Sequence, residues 1–200
     1  MNEKNFQLRA HQGRFQTRSE EGGAMRLCGY FAVFNQPYYI DEWVEEIIAP
    51  GAFDGCDMSD VRALIDHRAE LVLGRNTVNT LELSIDDTGL YGEILVNAGD
   101  SDAVNLYSRT QRGDVDQASF GFDEESVEYT DLPDGRVRRT IRKIKKLWEV
   151  SVCTFPAYEQ TYVEARSRSA CDVKAEQARR EKQKKEELRR RLHKYGTQTP

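Results

Sequence analysis

Gly113-Asp114-Val115-Asp116-Gln117-Ala118-Ser119-Phe120-Gly121-Phe122 runs from a helix stop into an apolar stretch of β type. The stretch carries one serine, set between Ala118 and Phe120 with Gly121 close behind. A hydroxyl hemmed in by small residues leaves room for another backbone, or a substrate, to approach. The plainer reading is a core strand with a satisfied hydroxyl, and periodicity alone does not separate the two. What surrounds this stretch decides between them.

Just before it, Asp100 or Ser101 can cap a helix running to about Arg112, with Gly113 as its C-terminal stop. Just after it, Leu132-Pro133-Asp134-Gly135 predicts a hairpin turn. Arg136 to Lys146 is basic and alternating, which predicts a solvated strand. Trp148 to Phe155 predicts a further strand with Glu149, Ser151 and Cys153 on one side, and Pro156 ends it. Further back, Leu27 to Phe34 and Trp43 to Ile48 read as strands. Ala49 to Phe53 breaks the second of these into a helical turn. Val61 to Asp66 reads as a strand that delivers His67 to its end. Thr80 to Ile85 and Leu90 to Val96, joined through Asp86-Asp87-Thr88-Gly89, form a hairpin. Short strands, hairpin turns and few helices predict a mainly β member of the α+β class, a β-barrel or sandwich with peripheral helices.

Residues 1–25 are polar and read as a flexible arm with one edge strand near Phe6 to Arg9. Residues 26–168 form the domain. Residues 169–200 are a charged tail, helical or disordered, because Lys174 to Leu192 has almost no apolar stripe. With 200 residues there is room for one substantial domain and an appendage. A net charge of -5 argues against nucleic acid as the default partner. No apolar run reaches the length of a membrane span, and the polar start leads into no signal peptide, so the chain is expected to be cytosolic when made. The four cysteines, Cys28, Cys56, Cys153 and Cys171, form no CxxC pair, which removes zinc ribbons and thioredoxin-type motifs.

Of the three histidines, His11 lies in the arm and His193 in the tail, leaving His67 alone on the patterned region. Histidine is suited to act as a general base near neutral pH. Ser119 is the serine in the most constrained apolar setting. Glu149 is a carboxylate inside an apolar strand, and there it needs a partner. Serine, histidine and carboxylate are the components of an acyl-transfer triad. The alternatives stay open on this reading. His67 can be a hydrogen-bonded surface residue, and Glu149 can be solvated or paired with Lys143, Lys145 or Lys146. Cys153 with His67 can form a thiol dyad, although Cys153 reads as core. Asp66 and His67 lack further metal ligands at a convincing spacing. No phosphate-binding glycine loop is present, and neither cofactor nor metal is expected.

Five stretches in this order resemble the prohead serine proteases of tailed bacteriophages. They are Gly29-Tyr30-Phe31-Ala32-Val33-Phe34-Asn35, then Ile47-Ile48-Ala49-Pro50-Gly51-Ala52-Phe53, then Ala63-Leu64-Ile65-Asp66-His67-Arg68 with Leu73-Gly74-Arg75. Arg112 to Val115 with Ala118 to Phe122 follows, and Leu147-Trp148-Glu149-Val150-Ser151 with Thr154 to Tyr158 completes the set. The resemblance covers roughly Leu27 to Arg168. It implies His67 as general base, Ser119 as nucleophile and Glu149 as third member. It also implies a fold similar to the herpesvirus assembly proteases, a single β-barrel ringed by a few helices, whose triad is a serine and two histidines; here a glutamate takes the third place. Ile65-Asp66 stands before the histidine where family members often carry an aromatic residue and Asn.

The resemblance further implies a serine endopeptidase of capsid maturation, packaged inside the immature capsid. Its partner would be the major capsid protein or its scaffold domain, and a homodimer is admitted. Such enzymes remove scaffold, or the scaffold-like domain of the major capsid protein, and then digest themselves. Backbone N–H groups near Ala157 are the candidate oxyanion hole. The rival reading is a non-enzymatic scaffold or assembly chaperone that binds coat protein through the charged tail. Because that tail cannot bury enough surface to offset its ordering entropy, a chain ending near Arg168 is expected to fold and to keep peptidase activity on a short peptide. Circular dichroism and a peptide assay check this, and an unfolded truncation would place the tail on the domain.

Overall fold

The computed structural model describes residues 6–11, 15–19, 24–40 and 42–154. In chain order the elements are β1 (Phe6–His11), β2 (Gln16–Ser19), β3 (Met25–Val33), β4 (Tyr38–Tyr39), β5 (Val44–Ile48), β6 (Arg62–Ile65), β7 (Arg68–Arg75), β8 (Leu81–Ile85), β9 (Gly89–Leu95), α1 (Ser101–Arg112), β10 (Gln117–Asp131) and β11 (Val137–Cys153). A single 3-10 turn spans Asn76–Val78. Strands β1 and β2 lie in the stretch the sequence suggests as a loose arm. The tail, 169–200, lies outside the described residues.

The long strand β11 organises the larger sheet. One edge pairs antiparallel with β10, from Gln117 opposite Cys153 to Asp131 opposite Val137. The other edge is shared. β5 pairs with it in parallel over Val137 to Ile141, and β6 pairs in parallel over Glu149 to Val152. Between them the turns of residues 49–57 stay against the same edge. Ala49 N–H donates to Ile141 O at 3.0 Å, Ile144 N–H to Ala52 O at 2.8 Å, and Leu147 N–H to Asp57 O at 3.0 Å. The chain from Val44 to Ile65 therefore tracks β11 in one direction, interrupted by the break that Pro50 and Gly51 announce. Backbone partners are thus supplied along that edge from Val137 to Val152, as a buried strand requires.

This shared edge is why the barrel expectation is corrected. The larger sheet runs β1-β10-β11-β5-β4, and β6 with β7 branches from β11. A second sheet runs β2-β3-β9-β8, linked to the first by a parallel bridge between Phe34 and Ile48. A strand whose edge is divided between two partners forks its sheet rather than closing it, and no closed barrel forms among the described residues. Nor do helices ring the sheets: α1 is the one α-helix among those residues. The mainly β character stands.

Local chemistry explains the elements that position the site. Asp100 caps α1, accepting the N–H of Asp102 at 2.9 Å. Gly113 ends it with φ 87°. Ala103, Leu106, Tyr107 and Thr110 form its buried stripe at helical spacing. On β10, Ala118, Phe120 and Phe122 face the core, where the two phenyl rings stack at 4.9 Å. The register shift between Gly121 and Phe122 leaves Trp148 unmatched in β11, a bulge. It lets Leu147 join Val150 and Val152 in the core while Glu149, Ser151 and Cys153 turn to the opposite face.

The basic half of β11 is not the solvated strand its composition suggests. Arg139 is 2% exposed. It is paired with Glu46 of β5 on one side and Glu124 of β10 on the other. Burial opposes its charge, but the two carboxylates hold its pKa above the ordinary arginine value. Buried Glu45 is paired in turn with Arg136 at 3.1 Å and Arg138 at 2.6 Å.

Gly89, at the start of β9, has no room for a side chain. A Cβ there would lie 1.9 Å from the carbonyl oxygen of Ala32 on β3. Gly89→Ala is expected to destabilise the fold by about 1–3 kcal/mol, because backbone must move to admit the methyl group. A urea titration checks this, and an unchanged midpoint would mean that the β3–β9 ladder gives way at no cost.

Candidate active site

His67 is set by a two-residue turn. β6 ends at Ile65, β7 starts at Arg68, and these two residues pair. Between them Asp66 and His67 both lie in the left-handed region, at φ 49° and 60°. Two successive positive φ values are what a type I′ hairpin turn requires. Aspartate and histidine are among the non-glycine residues that tolerate them. The sequence reading, a strand that ends in His67, missed β7; the histidine sits at a hairpin tip.

That tip is tied to the end of β11. Asp66 N–H donates to Val152 O at 3.1 Å. The Asp66 carboxylate accepts the backbone N–H of Thr154 at 2.8 Å and its hydroxyl at 3.3 Å. His67 N–H donates to Ser151 Oγ at 3.2 Å. These bonds offset the cost of two left-handed residues, on the order of 1–3 kcal/mol each.

The parallel pairing of β6 with β11 brings His67 beside Glu149. His67 Nδ1 lies 2.7 Å from Glu149 Oε1. The Ser151 hydroxyl donates to the other carboxylate oxygen, Oε2, at 2.6 Å. An ionised carboxylate only accepts, so in the hydrogen bond between the ring and Glu149 the proton belongs to Nδ1, and whenever the ring is neutral its lone pair is then on Nε2. Glu149 is therefore neither solvated nor paired with a lysine. Lys146 is engaged with Asp57 at 2.9 Å and lies 4.3 Å from the centre of the Trp148 ring.

Ser119 is fully buried and stands directly opposite Ser151 in the β10–β11 ladder. Alternation along β10 puts Gln117, Ser119 and Gly121 on the sheet face that carries Glu149, Ser151 and Cys153. The three candidates thus share one face, with His67 and Glu149 in direct contact. The outer edge of β10 is occupied as well: in β1, Ala10 pairs with Ser119 and His11 with Ala118. Ala157 and His193 lie outside the described residues.

Cys153 Sγ lies 3.9 Å from His67 Nε2, so the thiol–imidazole pair exists as geometry. Its electrostatics oppose a thiolate. Burial raises the Cys153 pKa well above the usual thiol value, and the Asp66 and Glu149 carboxylates raise it further. No group of three or more potential metal ligands occurs among the described residues. Sequence reasoning did not single out Ser151. The i, i+2 alternation puts it on the face of Glu149 in the sequence as in the structure, but residue type and spacing alone give it no role.

Residues 13–176 match the caudovirus prohead serine protease family. The chain belongs to this family. It is 34% identical over 141 residues to the prohead protease of Enterobacteria phage HK97, an alignment covering 68% of this chain and 58% of that relative. The chain thus spans rather more than half the length of the curated relative it matches. Among solved structures it is similar to the bacteriophage T4 capsid assembly protease, with a TM-score of 0.46, 11% identity, and coverage of 76% of this chain and 99% of the other.

For this prohead protease family member, a buried and protonated Cys153 is expected to resist alkylation. Native protein treated with iodoacetamide at about pH 8 should leave Cys153 unmodified, because the thiolate is the reacting species. The unfolded chain should label there. Peptide mass mapping checks this, and rapid native labelling would bring back the thiol dyad.

Proposed function

We propose that this chain is a serine endopeptidase of phage capsid maturation, with Ser119 as nucleophile, His67 as general base and Glu149 as the orienting carboxylate. The observation that carries the reading is the 2.7 Å contact of His67 Nδ1 with Glu149. It supports the reading because a neutral ring that donates Nδ1–H to Glu149 presents its Nε2 lone pair as the base the reaction needs.

In the acylation step, Ser119 Oγ attacks the scissile carbonyl carbon as its proton passes to His67 Nε2. Glu149 stabilises the imidazolium that results. The proton is then given to the leaving amine as the C–N bond breaks. Water repeats the sequence on the acyl-enzyme, losing its proton to Nε2 and releasing the free acid and Ser119. The substrates are scaffold or the scaffold-like domain of the major capsid protein, and the chain itself. The partner is the major capsid protein. The work is done inside the prohead, after synthesis in the host cytoplasm. Family membership and the name of the HK97 relative favour this reading over a non-enzymatic scaffold or chaperone.

Purified chain incubated with its own coat protein should generate new termini detectable by mass spectrometry. A serine-directed fluorophosphonate should label Ser119. Ser119→Ala and His67→Ala should each lower the cleavage rate on the order of 10^6-fold, and Glu149→Gln about 10^4-fold, since a mispositioned base retains partial function. Undiminished cleavage by Ser119→Ala would overturn the assignment.

A further inference from the structure

We propose that Ser151 is a positioning residue for the reaction, holding both Glu149 and the turn that carries His67 through a single hydroxyl. The inference rests on the triad reading above. Ser151 is fully buried. Its hydrogen-bonding capacity is divided between the two partners that matter. The one O–H donates to Glu149 Oε2 at 2.6 Å, and a lone pair accepts the backbone N–H of His67 at 3.2 Å.

Two consequences follow from the hydroxyl inventory. First, both oxygens of Glu149 are engaged, Oε1 by the His67 ring and Oε2 by Ser151, so the carboxylate cannot rotate about its terminal torsion without losing a bond. That torsion is otherwise soft. Second, the backbone of His67 and its ring are referenced to one strand. The ring is held through Glu149 and the main chain through Ser151, two residues apart on the same face of β11. The same strand also places Ser151 directly opposite Ser119. Ser151 therefore sets the distance and angle between base and orienting carboxylate, and it does so from the ladder position nearest the nucleophile. A catalytic array of this kind must hold its geometry to within about half an ångström, which a lone histidine–carboxylate pair on a hairpin tip does not ensure.

The test uses the full chain and a fluorophosphonate probe, whose reaction with Ser119 reports how well the nucleophile is activated without requiring a known cleavage sequence. Ser151→Val and Ser151→Thr have nearly the same shape and differ in the hydroxyl. The Val variant is expected to lower the maximal labelling rate about 10–100-fold while the probe's half-saturating concentration stays within about twofold. The Thr variant should recover most of that rate. Long-range proton–nitrogen NMR of the His67 ring should show the Nδ1–H tautomer in wild type and in Thr, and a mixture of tautomers in Val. Equal labelling rates and one unchanged tautomer across the three proteins would overturn the inference. If Val loses rate but Thr does not recover it and the tautomer is unchanged, the role is packing, and the inference also fails. Both outcomes are separable from failure of the triad itself, which appears as labelling that persists in Ser119→Ala. Should the Val chain not fold, Ser151→Ala read by the same tautomer spectrum decides the matter.

Discussion

Hydrogen bonding along both edges of β11 is the constraint on which the rest of the structure depends. One edge is closed by β10, and the other is closed in turn by β5, the turns of residues 49–57, and β6. A strand satisfied on both sides can be buried, and burial is what turns its polar residues into determinants of structure. In the half near Val137 the consequence is an ionic lattice. Arg139 lies between Glu46 and Glu124, and Glu45 between Arg136 and Arg138. Removing Arg139 alone would leave the buried Glu46 carboxylate uncompensated, which costs far more than the pair contributes when intact. Near Cys153 the same burial encloses Glu149, Ser151 and Ser119, the residues of the candidate site. One strand thus carries a structural ion network at one end and the candidate chemistry at the other.

Much of the fold was legible because its signals are local. The hairpin from Leu81 to Leu95, the cap of α1 at Asp100, its stop at Gly113 and the turn at Leu132 to Gly135 all depend on residues within a few positions of one another. What was not legible depends on distant partners. Arg139 looks solvated until Glu46, which lies 93 residues earlier, is placed beside it. The continuity of β11 through Lys145 and Lys146 is hidden by charge, and Lys146 is accommodated by Asp57 and by the face of Trp148. β7 escaped notice because Arg68, Ala69 and Glu70 are exposed and break the alternation. The barrel expectation failed for a related reason: closure is decided by which edges remain unpaired, and the sequence does not state that β5 and β6 take the same edge.

The candidate site divides along the same line. His67, Ser119 and Glu149 could be named from residue type and from their place in apolar runs. The contact of His67 with Glu149 could not, since the two are 82 residues apart and meet through the parallel register of β6 on β11. Ser151 lay in plain view two residues beyond Glu149. It was passed over because a serine in a strand has many bland uses, and the value of this one comes from what faces it.

The turn at Asp66 and His67 shows how such a contact is made rigid. A histidine on a flexible loop would lose orientation faster than a hydrogen bond to a carboxylate could restore it. Here the backbone itself is strained into two left-handed residues, a state that persists only when its surroundings over-determine it. The surroundings do so with bonds from one strand end: Val152 holds the main chain of Asp66, Thr154 holds its carboxylate, and Ser151 holds the main chain of His67. The carboxylate of Asp66 then has a second effect. Together with burial and with Glu149 it disfavours a thiolate at Cys153, the sulfur nearest His67 Nε2. The groups that fix the histidine also keep the neighbouring thiol neutral, so no thiolate stands beside His67 Nε2, which the thiol approaches at 3.9 Å.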